Sequence, residues 1–186
     1  MRTFGRDELT RFMKSLDKHL SGPRRVILIG GAAASLAYGI TRVTTDVDTI
    51  NDIGELEEAL RLASSETGLD VPFQSVAIYD APYHFEDRLV SVDMALEKLQ
   101  IVVPEKHDLV LMKVVRGQEN DRDAIQQIAD NVGLEETTLV DRFKSEMTHV
   151  IGRPEQLRGN FLSVIEMLYG EREADRVNSE LPDSAG

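Results

Sequence analysis

The run Arg25-Val26-Ile27-Leu28-Ile29 passes directly into Gly30-Gly31, and Ala32 to Tyr38 follows with residues that favour helix. A short apolar run with β-branched residues predicts a buried strand, the glycine pair a tight turn, and the alanines a helix packed close to it. Val43 to Ile50 is again rich in β-branched residues and is bounded by Asn51-Asp52 and Gly54, which predicts a second strand. Strand, turn, helix and strand in this order restrict the fold class to α/β, because the helix must bury its apolar side on the sheet its flanking strands build.

The remaining periodicities fill in the architecture. Leu9, Phe12, Met13, Leu16 and Leu20 recur at helical spacing behind Asp7 as N-cap, and the helix ends near Ser21-Gly22-Pro23. Residues 55–66 read as helix, and Ser75 to Tyr79, Leu89 to Met94 and Leu99 to Val103 read as strands. Beyond Pro104 the pattern becomes helical throughout, over Glu105–Arg116, Asp121–Asp130, Glu135–His149 and Pro154–Tyr169. The expected organisation is a small mixed, twisted sheet with flanking helices over 1–103, a helical part over 104–177 packed on that core, and a frayed tail over 178–186.

Composition removes several function classes. The 186 residues carry 21 Lys and Arg against 33 Asp and Glu, a net charge of −12, which disfavours a surface built to coat extended nucleic acid. The chain has no cysteine, so thiolate metal sites, iron–sulfur clusters and cysteine nucleophiles are excluded. No apolar stretch approaches the roughly 20 residues a membrane span needs, and the reading is cytoplasmic. Charge is uneven, however: seven basic and three acidic groups fall within the first 25 residues. These read first as a solvated helix face, and second as a landing surface for nucleotide or RNA in which Arg11, Lys14, Lys18 and Arg24 lie beside the glycine turn. The four histidines are scattered, with no two at metal-ligand spacing.

The chemistry concentrates between Gly30 and Asp48. Residues two apart on a strand share a face, so Asp46 and Asp48 present two carboxylates together while Val47 turns away. Paired carboxylates suit Mg²⁺ or Mn²⁺, and a glycine turn opening a helix offers N–H groups and a dipole end to phosphates. Taken alone, each half has a plainer reading, as the polar side of a strand and as a packing turn.

The run Ile29 to Ile50 resembles the nucleotidyltransferase superfamily typified by DNA polymerase β, in the version found in small bacterial members related to abortive-infection toxins and to the minimal nucleotidyltransferases of toxin–antitoxin pairs. Pro104-Glu105-Lys106-His107-Asp108-Leu109-Val110-Leu111-Met112-Lys113, then Arg116-Gly117 and Asp121-Arg122-Asp123, is similar to the downstream helices of that family. The resemblance implies transfer of a nucleoside monophosphate from a nucleoside triphosphate to a hydroxyl of a protein, a small molecule or an RNA end. It implies that Asp46, Asp48 and a third carboxylate, for which Asp93 is the candidate, bind the metal ions and do the catalytic work. It implies phosphate contacts from Gly30 and Gly31, with Lys113, Arg42 and Arg116 as further candidates. Two departures stand out: fourteen residues separate Gly31 from Asp46, a long spacing, and Gly31 occupies the family's phosphate-binding serine position, which leaves Ser35 as a candidate hydroxyl. A catalytically silent member that binds a nucleotide or a partner protein, such as the antitoxin-like component of a two-gene system, is the alternative.

Overall fold

In the computed structural model, which describes residues 2–78, 80–150 and 153–182, the chain divides into two units, Met1–Ile78 with Arg88–Glu105, and Tyr79–Asp87 with Lys106–Gly186. The first unit holds a five-stranded mixed sheet. In chain order its elements are α1 (Arg6–His19), β1 (Arg24–Ile29), α2 (Gly30–Tyr38), β2 (Val47–Thr49), α3 (Glu57–Thr67), β3 (Phe73–Ser75), β4 (Val90–Ser91) and β5 (Leu99–Val103). The strand order is β3-β2-β1-β5-β4; β1 runs parallel to β5 and antiparallel to β2, β2 parallel to β3, and β4 antiparallel to β5.

The expected apolar positions build the core of this unit. Leu9, Phe12, Met13 and Leu16 are buried along α1, Val26 to Ile29 in β1, and Ala32, Ala33, Ala34 and Leu36 in α2. Alanines allow α2 to lie close to the sheet, which is why a helix of such small residues follows the glycine turn. Helix α1 starts after Gly5, whose N–H donates to Glu8 Oε2 (3.1 Å), so Asp7 lies in the first turn and is not the N-cap. Its far end is fastened reciprocally. Asp17 accepts the N–H groups of Glu97 (3.1 Å), Lys98 (2.7 Å) and Leu99 (2.6 Å), while Lys98 Nζ donates to the carbonyls of Lys18 (3.2 Å) and Leu20 (2.7 Å). Those carbonyls belong to a helix C-terminus that would otherwise lack partners.

The strands are shorter than their β-branched runs. Thr44 pairs with Phe4 in an isolated antiparallel bridge and the chain bends at Thr45, so β2 begins only at Val47. The third strand spans Phe73–Ser75, earlier than the expected Ser75 to Tyr79, of which Tyr79 lies outside the described residues, and of Leu89 to Met94 only Val90–Ser91 is strand. Side-chain alternation alone does not say where ladder hydrogen bonds stop.

The second unit is helical: α4 (Lys106–Arg116), α5 (Glu119–Val132), α6 (Glu136–Glu146), α7 (Pro154–Tyr169) and α8 (Glu171–Glu180). Leu109, Val110, Leu111, Ile125, Ile128, Leu139, Phe161 and Ile165 are its buried apolar centre, and Phe143 stacks on Phe161 with ring centroids 3.9 Å apart. Residues 80–87 join this unit through the Tyr83 and His84 N–H groups, which donate to the Glu146 carbonyl and carboxylate. The expected frayed tail is corrected over its first part. Helix α8 continues to Glu180, Val177 and Leu181 are buried, and Arg158 donates to Asn178 Oδ1 and to the Pro182 carbonyl (2.6 Å). Residues 183–186 lie outside the described residues. Among the described residues, no helix is long and apolar enough to cross a membrane.

Candidate functional site

The register explains why two glycines follow β1. Ile29 pairs with Asp48 on the antiparallel β2, so the turn into α2 begins directly beside that carboxylate. Gly30 has φ +68°, a left-handed conformation that costs an L side chain about 1–2 kcal/mol. A Cβ there would lie 3.0 Å from Asp48 Oδ2. On Gly31 a Cβ would lie 2.8 Å from Thr44 Oγ1 and 3.2 Å from Thr44 Cβ. The glycine pair is therefore the gap that admits Asp48 and Thr44 to the N-terminus of α2.

Asp46 is oriented by its neighbours. The Thr44 hydroxyl donates to the Asp46 carbonyl (3.1 Å) and lies 3.4 Å from Asp46 Oδ1, and the Thr45 hydroxyl reaches Asp46 Oδ2 at 3.3 Å. Thr44 is itself held by paired backbone bonds to Phe4, at 2.7 and 3.0 Å, and Phe4 is buried. Asp46, Asp48, Thr44, Gly30 and Gly31 thus converge on one end of the sheet, with both carboxylates half-buried. Val47 and Thr49, alternating with Asp48, are fully buried on the other side of the strand.

Asp93 does not complete this group. Val90 pairs with Val103 and Val92 N–H donates to the Ile101 carbonyl, so Asp93 continues toward the level of Gln100, which pairs with Arg25 at the start of β1. That is about 13 Å down the strands from Asp48 and three strands away, about 14 Å across. Asp93 is exposed there and shares a hollow of about 670 Å³ with Arg24, Arg25 and Lys98. The sequence showed a carboxylate on a neighbouring strand but not the direction in which that strand runs. Gln74 on β3 pairs in register with Asp48 and lies on its face of the sheet, so the neighbouring position carries a neutral amide. Among the described residues no three His, Cys, Asp or Glu side chains cluster closely enough to hold a metal ion.

Ser35 is also corrected. It is 1% exposed, in the second turn of α2, and its Oγ has no hydrogen-bond partner, so it offers nothing to a ligand at the helix N-terminus. Arg42 is exposed in the connection from α2 to β2. Lys113 and Arg116 are in the helical unit, where both meet buried Asp121: Lys113 Nζ at 3.5 Å from Oδ1 and Arg116 Nε at 2.8 Å from Oδ2. Burial opposes ionisation of Asp121, but the hydrogen bond from Arg116 and the charge of Lys113 outweigh it and hold the carboxyl below its ordinary range. Lys113 is 5% exposed, a packed ion-pair member. Two of the four basic residues of the expected landing surface lie away from the glycine turn. Arg24 opens β1, six residues and about 20 Å from the glycine turn, and Lys18 is paired with Glu66 (2.9 Å) at the far end of α1.

Thr44 and Gln74 are the residues the sequence reading missed. A hint for Thr44 was present in Thr44-Thr45 directly before the carboxylates, since hydroxyls commonly brace an adjacent acid. Gln74 had no local signal, because only strand register brings it to Asp48.

The donor set suits a hard cation of the Mg²⁺ kind, which takes one or two carboxylates and fills its remaining positions with water and phosphate oxygens. No curated protein and no solved structure matches the chain significantly. A family model described as nucleotidyltransferase of unknown function (DUF6036) matches residues 7–161, a span that includes the glycine turn, both carboxylates and most of the helical unit. The chain belongs to this nucleotidyltransferase family.

Proposed function

We propose that this protein is a metal-dependent nucleotidyltransferase of the DNA polymerase β type, which moves a nucleoside monophosphate from a nucleoside triphosphate to a hydroxyl acceptor. The observation that carries the reading is the convergence of Asp46 and Asp48 on the left-handed turn that opens α2. The N–H groups of Gly31 and the residues after it point out of the helix start without intrahelical partners, and with the helix dipole they favour the triphosphate there. Asp46 and Asp48 would hold Mg²⁺ or Mn²⁺, which when bound neutralises phosphate charge and favours the departing pyrophosphate. The acceptor oxygen bonds to the α-phosphorus, the bond from that phosphorus to the pyrophosphate oxygen breaks, and the acceptor proton passes to a carboxylate or to water. Arg42, exposed on the connection between α2 and β2, is the candidate for positioning phosphate. Lys113 and Arg116 are left out, because Asp121 already engages both.

One observation favours a second reading. The register puts Gln74, not a carboxylate, beside Asp48, which fits a member that binds nucleotide or a partner protein and turns over slowly or not at all, as an antitoxin-like component would. A neutral amide cannot accept the acceptor's proton.

The test is calorimetric titration of each nucleoside triphosphate with Mg²⁺ or Mn²⁺ into the wild type and into Asp46→Asn/Asp48→Asn. Metal-dependent binding lost in the variant, with the melting temperature kept, supports the site; transfer of labelled nucleotide to a hydroxyl then separates the two readings. No metal-dependent binding to the wild type refutes the first reading.

A further inference from the structure

We infer that Thr44 is the positioning residue of this site, and that its hydroxyl, reaching the start of α2 from the β2 side, does the work a side chain on Gly31 would otherwise do. The inference rests on the proposed nucleotide site and deepens it. Three observations meet at this one oxygen. It stands 2.8 Å from where a Cβ on Gly31 would be, so residue 31 is glycine because Thr44 occupies its side-chain space. It bonds the Asp46 carbonyl at 3.1 Å and lies 3.4 Å from that residue's carboxylate, so it connects the helix start with the first acid. It is also anchored from behind, since the Thr44 backbone exchanges two hydrogen bonds with Phe4. Phe4 is buried, and the Arg2 guanidinium lies over its ring, 5.5 Å from the centroid.

No other hydroxyl described at the helix start can take this place. Ser35 is sealed one turn further on, and Thr45 reaches only the opposite carboxylate oxygen of Asp46, at 3.3 Å. A threonine has one proton to donate and two lone pairs to accept with. At Thr44 that proton goes to the Asp46 carbonyl, which stiffens the bend before β2 and fixes the backbone that carries the first acid. A β-branched residue suits the role, because its χ1 is restricted and the hydroxyl stays in one position.

The inference predicts a reciprocal relation between positions 31 and 44. Thr44→Val keeps the shape, removes the hydroxyl, and is expected to weaken binding of nucleoside triphosphate with Mn²⁺ by about three- to tenfold, the usual effect of losing one hydrogen bond. Thr44→Ser restores the hydroxyl and keeps most of the affinity. Gly31→Ser in the wild type drives a Cβ into Thr44 and is expected to cost about tenfold as well. In Thr44→Ala the 2.8 Å clash with the hydroxyl is gone and the remaining Cβ, at 3.2 Å, has only a few tenths of an ångström to give, so the same Gly31→Ser change returns a hydroxyl from the helix side and raises affinity over the Thr44→Ala single variant.

The experiment titrates Mn²⁺ with each of the four nucleoside triphosphates into the wild type and these variants, beside a thermal melt of each. Opposite signs for Gly31→Ser in the two backgrounds, with melting temperatures within a few degrees, is the expected result. Wild-type binding that Thr44→Val leaves unchanged, or a Gly31→Ser effect of one sign in both backgrounds, overturns the role of Thr44 while the nucleotide site stands. A melt lowered in proportion to the lost affinity makes Thr44 structural and overturns it too. Absence of binding to the wild type overturns the nucleotide site, and this inference with it.

Discussion

Asp17 supplies the most sharply determined stability prediction. Its Oδ1 accepts two N–H groups, from Lys98 and Leu99, at 2.7 and 2.6 Å, and its Oδ2 accepts a third from Glu97 at 3.1 Å. These bonds hold the β4–β5 turn, in which Ala95 sits at φ 52°, a left-handed value that costs a residue with a Cβ about 1–2 kcal/mol. Asp17→Ala strips all three donors of their acceptor. The Leu99 N–H lies on a residue 4% exposed and is left unsatisfied at about 1–3 kcal/mol, while the other two, nearer solvent, regain water at a smaller cost, so the loss is about 3 kcal/mol. Asp17→Asn keeps one acceptor oxygen for the pair on Oδ1 but turns an NH₂ toward Glu97, for about 1–2 kcal/mol. At about 2–4 °C per kcal/mol for a chain of this size, the melting temperature should fall by about 6–12 °C for Ala and about half that for Asn.

The same carboxylate has a pH signature. Burial opposes its ionisation, but the three backbone donors and the charge of Lys98 outweigh that and lower its pKa below the ordinary value of 3.8. A lowered folded-state pKa means the stabilisation is fully present above that ordinary value and is lost as pH falls through the folded-state value. The gap in melting temperature between wild type and Asp17→Asn should therefore be constant from neutral pH to about 4 and close below it. A drop of less than about 2 °C for Asp17→Ala, or a gap that widens on acidification, would refute the reasoning.

Three further outcomes are expected. Gly30→Ala should destabilise by about 1–2 kcal/mol from its left-handed backbone alone, and by crowding Asp48 should also abolish metal-dependent nucleotide binding, read by melting and calorimetry. Glu66 accepts bonds from Ser15 (2.6 Å), Lys18 and His19, which hold its carboxyl at about 2. Its contribution is present above about 4.5 and disappears as pH falls toward 2, so Glu66→Gln should lower the acid stability of the sheet unit only above that window's lower end, as followed by circular dichroism. Asp121→Ala removes the partner that Lys113 and Arg116 share inside the helical unit and should cost about 3 kcal/mol in urea unfolding, whereas an effect under about 1 kcal/mol would show that this buried cluster contributes little.

How much was legible in the sequence differs between the fold and the site. Helices α1, α3, α4 and α7 could be read within a few residues, because each carries an apolar stripe at a period that belongs to helix alone. Strand β5 could be read because its β-branched run, buried at all but Gln100, stops at a proline. Strand β2 could not be bounded, since Val43 to Ile50 is β-branched throughout and only the pairing of Thr44 with Phe4 and the bend at Thr45 decide where the ladder begins. Helix α8 was missed because its ten residues bury a single one, Val177, too little periodicity to set against a polar tail.

For the site, the sequence alone determined the glycine pair, the two carboxylates and their order, because these are local: a turn, a helix start and a period of two along one strand. Tertiary structure alone decided which side chains join them. It removed Asp93, since β4 runs antiparallel to β5 and carries that acid to the opposite end of the sheet. It closed Ser35 inside the packing of α2 and gave Lys113 to Asp121. It added Gln74 through strand register and Thr44 through the space a glycine leaves open. A chain specifies neighbours along itself by spacing, whereas neighbours across a sheet follow from strand direction and register, which are set only when the whole core packs.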